Sequence, residues 1–248
     1  MRVQLGISPK FARQLALVLI LIVAGLTVMS LTVNILFNYQ LLDSASQTGG
    51  GDGGKLQLFE LDSDQNIPTW YSSSMLLICA GLLAIIAAAA RRNIYRIQWI
   101  GLSLIFLYLS ADEAASIHEK MSPAVERLIP ISGFSDYAWI FLYAPLVLIF
   151  ALAYLGFLRA LPAETKHLFI LAGSLYVAGA LGMEAIDGTY ASIYGSSNVV
   201  YSLLTHIEEV LEMLGVVVFF YSLLLYISFY VREISVGPKG QFDTRSGD

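Results

Sequence analysis

The chain is poor in cysteine, histidine and charge: it holds one cysteine and three histidines, and 13% of its 248 residues are Asp, Glu, Lys or Arg. A lone Cys79 excludes an intramolecular disulfide, a dithiol redox pair and a cysteine-rich metal site. No basic run is present, so nucleic acid is not an expected partner. The Gly-x-Ser-x-Gly nucleophile motif and the His-Glu-x-x-His zinc motif are both absent. There is one Glu-x-x-His, Glu164 to His167, where a helical-bundle di-metal centre uses two. No internal repeat is found.

What is abundant is hydrocarbon. Apolar residues make up 57% of the chain, outside the range of ordinary soluble domains. They fall in blocks, and a helix needs roughly 20 apolar residues to cross about 30 Å of bilayer core. Six spans are predicted, at about 15–37, 73–90, 97–110, 138–158, 168–183 and 214–231. The first is longer than a signal-peptide core and precedes no small-x-small cleavage site, so a retained helix is expected. The third reaches across only if it carries Asp112 and Glu113 into the membrane or its interface.

The expected fold is therefore all-α: a polytopic membrane protein with six transmembrane helices in a bundle. Residues 1–14 form a cytoplasmic N-terminus, 15–232 the membrane domain with an outer loop at 38–69, and 233–248 a disordered cytoplasmic tail. With six spans, eleven of the 14 lysines and arginines fall on the side of the termini, leaving Lys55, Lys120 and Arg127 opposite. The positive-inside rule then makes both termini cytoplasmic. The expected location is a plasma or inner membrane.

Three acidic motifs abut these spans: SADEAASIHE at 110–119, GMEAID at 182–187 and THIEEVLEML at 205–214. Counting helical rise from the basic residue at each inner boundary places Glu113, Glu184 and Glu212 about 25–30 Å across, at one level near the outer edge of the hydrocarbon. Asp112, His118, Glu119, Asp187, His206, Glu208 and Glu209 lie close to that level. Carboxylates there are costly and mark function by default. Crowded carboxylates hold protons or bind a cation.

The expected site is a divalent metal centre, for zinc, manganese or iron, with Glu113, His118, Glu184, His206 and Glu212 as ligands. It faces the periplasmic or extracellular side. Asp112 or Glu209 is the expected general base if the protein is a metal-dependent hydrolase working near lipid headgroups. Glu119, Asp187 and Glu208 complete the acidic cluster. Each motif also has a plain structural explanation. Thr205-x-x-Glu208 fits a capping box at a helix start, and Asp187 before Gly188 fits a helix end. A proton or cation pathway, or a non-catalytic subunit of a membrane complex whose polar groups tie helices together, are the alternatives.

Overall fold

The computed structural model describes residues 2–4, 7–38, 57–61, 65–90, 93–128, 137–196, 198–231 and 233–235. The glycine-rich part of the expected outer loop, 46–54, and the expected tail beyond 235 lie outside them. Eight α-helices account for nearly all of the described chain: α1 (Pro9–Asn38), α2 (Ile67–Ala89), α3 (Arg96–Ala115), α4 (Ile117–Leu128), α5 (Ile140–Ala160), α6 (Ala163–Val177), α7 (Glu184–Tyr194) and α8 (Val199–Tyr230). A π-helical segment, Ala178–Met183, joins α6 to α7 without a break in the rod. Two short strands, β1 (Arg2–Gln4) and β2 (Glu233–Ser235), pair antiparallel with Val3 opposite Ile234. The chain before α1 and the chain after α8 therefore meet, and β2 takes up the first three residues of the expected tail.

Five helical rods are long and apolar enough to cross a membrane, and six are if α3 with α4 counts as one bent span. This is the build of an α-helical membrane protein. Residues such as Leu21, Val28, Leu148 and Ile149 are exposed along α1 and α5, as lipid-facing positions are. The core gathers on α8, the most deeply buried of the long helices. α1 lays a stripe of Ala12, Ala16, Leu19, Val23, Ser30 and Val33 into the protein. On the other side Trp99 stands edge-on to Phe157 and Phe169, and Phe106 stacks on Phe219 at 4.4 Å.

Polar contacts and missing side chains set the helix spacing. α2 starts where Asn66 accepts a hydrogen bond from the Thr69 amide at 2.9 Å, with Pro68 in its first turn. It is stitched to α3 by reciprocal bonds, Ser73 to the Ser110 carbonyl and Ser110 to the Ser73 carbonyl, each 2.8 Å. α6 and α8 approach backbone to backbone at Gly215. A Cβ there would sit 2.8 Å from the Tyr176 nitrogen and 2.9 Å from the Ala172 oxygen. Gly179 makes the same close approach to Glu208 and Glu212.

Three boundaries differ from expectation, and each moves an acidic residue. α8 begins fifteen residues before the expected 214, because Asn198 caps it by accepting from the Val200 and Tyr201 amides at 3.1 and 3.0 Å. Thr205 and Glu208 consequently lie inside the helix and form no capping box. α7 runs through Gly188 and ends at Gly195, which holds φ at +80°. Gly188 serves packing instead, since its missing side chain leaves room for the Tyr137 ring. The third span breaks at Ser116, in the left-handed region at φ 46°, and α4 leaves at 87° to α3.

The close approach at Gly215 predicts that Gly215→Val lowers stability by about 1–3 kcal/mol, the usual range for overpacking. Gly81→Val, where nothing lies within 4 Å, serves as the control. Thermal unfolding in mild detergent should show a lower midpoint for the first and little change for the second.

Candidate functional site

The acids of all three motifs converge on two adjoining cavities, and the local backbone explains how. The break at Ser116 turns α4 across the end of α3, and Asp112 caps the new helix: its Oδ1 accepts from the His118 amide at 2.8 Å. Its Oδ2 lies 3.0 Å from Nδ1 of the same histidine. A carboxylate accepts, so Nδ1 carries the hydrogen and Nε2 is left to the cavity side chains. The ring leans on Trp139, with centroids 4.6 Å apart. The π segment advances the face that α7 presents, and π segments of this kind recur at functional sites. Just beyond it stand Glu184 and, one turn on, Asp187.

A large cavity of about 620 Å³ is lined by Asp112, Glu113, His118, Glu184, Glu208 and Glu212 at its polar end and by apolar side chains elsewhere. A smaller one of about 400 Å³ is lined by Glu119, Glu184, Asp187, Glu208 and Glu209, with Tyr137 and Tyr201 beside them. Glu184 and Glu208 belong to both. At that seam Glu184, Asp187 and Glu208 each offer one carboxylate oxygen, all within 4.8 Å of one another. Asp187 and Glu208 are buried and Glu184 partly so. Among the described residues, buried Oδ1 of Asp187 has no hydrogen-bond partner. Among the described residues neither cavity is lined by a lysine or arginine; Lys120 donates instead to the Ala115 carbonyl.

Of the ten residues expected at the site, nine line one cavity or the other. His206 does not. It faces α1 in a fully satisfied network. Nδ1 lies 2.6 Å from the Ser202 carbonyl, which can only accept, so Nδ1–H donates. Nε2 accepts from the Ser30 hydroxyl at 2.9 Å, and Ser30 Oγ accepts in turn from the Leu61 amide at 2.9 Å. With both ring nitrogens engaged and the side chain buried among α1 and α8, His206 has no lone pair to offer a metal. Its role is to hold α1 and the segment around Leu61 to α8.

The tightest grouping is thus Glu184 with Asp187 and Glu208, the last two expected in the acidic cluster but not among the metal ligands. The Asn198 cap was the available signal, since a start at Val199 puts Glu208 at mid-helix. Tyr176 and Trp139, neither of them expected at the site, also line the large cavity.

The His206 network predicts that Ser30→Ala strands His206 Nε2 and the Leu61 amide together and costs about 1–3 kcal/mol of stability. Any metal content measured on the same preparations should be unchanged. A variant that lost metal without losing stability would restore His206 to the site.

With this geometry in place, comparison with known proteins identifies the family. The chain belongs to the family described as "Domain of unknown function (DUF8692)", which matches residues 14–227. No curated protein and no solved structure matches it.

Proposed function

We propose that this member of the family binds a divalent cation through Glu184, Asp187 and Glu208 and uses it to hydrolyse a substrate from the lipid headgroup layer. One observation carries the reading. Three carboxylate oxygens lie within 4.8 Å of one another at the seam of two cavities, and buried Oδ1 of Asp187 lacks a partner. Carboxylates this close, away from any lysine or arginine, are the setting in which a cation offsets mutual repulsion. An all-oxygen donor set suits a hard ion, which favours manganese among the metals expected from sequence. Such an ion supplies a water molecule acidic enough to attack at neutral pH.

The chain's own groups fill the remaining roles. Asp112 is occupied by both its contacts with His118, so it positions that ring and is not itself the base. His118 presents Nε2 as the proton acceptor. Glu209, lining the small cavity beside the triad, is the second candidate base. Glu113 and Glu212 line the large cavity next to the triad and are the acids best placed to take up further ligand positions.

We place the protein in a plasma or inner membrane with six crossings and both termini in the cytoplasm. The β1–β2 pairing supports an even number of crossings, and the lysine and arginine distribution supports the orientation. The site then opens to the outside. A proton or cation pathway finds less support, because beyond Glu212 the large cavity is walled by Phe106, Phe150, Phe157 and Phe219, with the tyrosines Tyr154 and Tyr176 and no further charged side chain among its lining residues.

Elemental analysis of protein purified in mild detergent without chelator tests the cation. About one equivalent of a divalent metal is expected in the wild type, absent from Asp187→Asn and Glu208→Gln and retained by Ser30→Ala. A wild type free of metal, even after loading with manganese, would overturn the proposal.

A further inference from the structure

The large cavity is far longer than a metal site needs. On α8 its lining runs from Glu208 to Phe219, eleven residues and about 16 Å of rise. One leaflet of a bilayer holds about 15 Å of hydrocarbon, half of the roughly 30 Å core. Its volume of about 620 Å³ falls within the roughly 300–1,000 Å³ of pockets that enclose an organic ligand. Its acids are confined to one end, and away from them the wall is made by residues such as Leu102, Phe106, Phe150 and Phe219.

α5 explains why the space exists. It spans Ile140–Ala160, yet Phe157 is its one buried residue. Leu148, Ile149 and Leu152 face outward, and Leu146, Phe150 and Tyr154 face the cavity. The helix forms a side wall standing off the bundle. The apolar stretch of this void, left empty, forfeits dispersion contacts along its walls, and water gains few partners there. The bilayer on the far side of α5 supplies the one material that fills it.

We propose that the cavity between α5 and α3, α6 and α8 holds the hydrocarbon chain of an acyl lipid, with the lipid's head at the acidic end beside His118 and Glu184. Charge restricts the head. An anionic group would meet the carboxylates of Asp112, Glu113, Glu184 and Glu212, and a cationic one would compete with the cation proposed at the triad, so the ligand we commit to is an acyl ester or amide with an uncharged head. Occupancy of the cavity stands on its shape alone. That the bound linkage is the one hydrolysed rests on the cation reading above.

The probe is a monoacylglycerol carrying a diazirine at mid-chain, photolysed with the purified protein and mapped by peptide mass spectrometry. Adducts are expected on Phe106, Phe150 and Phe219 and should fall at least fivefold with excess unlabelled monoacylglycerol. Gly173→Leu and Ala151→Leu, which add bulk to the cavity wall on α6 and α5, should reduce them by a similar factor. Their metal content should equal that of the wild type, which separates a filled cavity from a misfolded one. Adducts confined to outward residues such as Leu148 and Ile149, or insensitive to competition, would overturn the proposal. Competed adducts on a protein that never holds metal would uphold the lipid cavity and overturn the cation reading alone.

Discussion

A carboxylate surrounded by hydrocarbon must find a proton, a hydrogen-bond donor or a cation, and the acid-bearing end of this bundle is organised around that requirement. Asp112 meets it locally by capping α4 and holding His118. Glu184, Asp187 and Glu208 meet it together, at a spacing where an ion can serve all three. The contrast between these solutions separates their roles. Asp112 is a finished structural contact, whereas the buried oxygen of Asp187 has none.

Bringing acids from α7 and α8 so close depends on what is missing between the helices. Gly179 and Gly215 let the α6–π–α7 rod lie backbone to backbone against α8, and a methyl group at either would push the rod away. The π segment then sets the face on which Glu184 and Asp187 emerge. Neither device shows as hydrophobicity, and both lie within a turn or two of the acids they position. Packing and site are one construction here.

The broad plan was legible in the sequence because it rests on long-range composition: apolar blocks of spanning length imply helices regardless of detail. The six predicted segments all fall on helices of the structure. Their ends were harder to read. Apolar content falls off before residue 214, yet α8 starts at Val199, because a single Asn198 side chain satisfies its first amides. Glycine at 188 resembles a helix stop, yet it is a seat for the Tyr137 ring. Ser116 in a left-handed conformation could not be foreseen, since serine rarely adopts it without a cap such as Asp112 to stabilise the start of α4. Helical rise places the acids only along their helices. Which of them meet depends on rotation about each helix axis, and His206 shows how a residue expected near their level can face the other way.

The pairing of β1 with β2, and of α1 with α8, also has a consequence for how the protein is made. The surface that α1 buries, from Ala12 to Val33, has its main partner in α8, the last of the described helices. At about 5–20 residues per second, the 160 or so residues between the end of α1 and the start of α8 take roughly ten to thirty seconds to synthesise. For that interval Ser30 lacks its His206 partner and the packing stripe of α1 faces lipid. Assembly of this part of the bundle therefore waits for α8, and truncation anywhere before α8 leaves α1 without its seat.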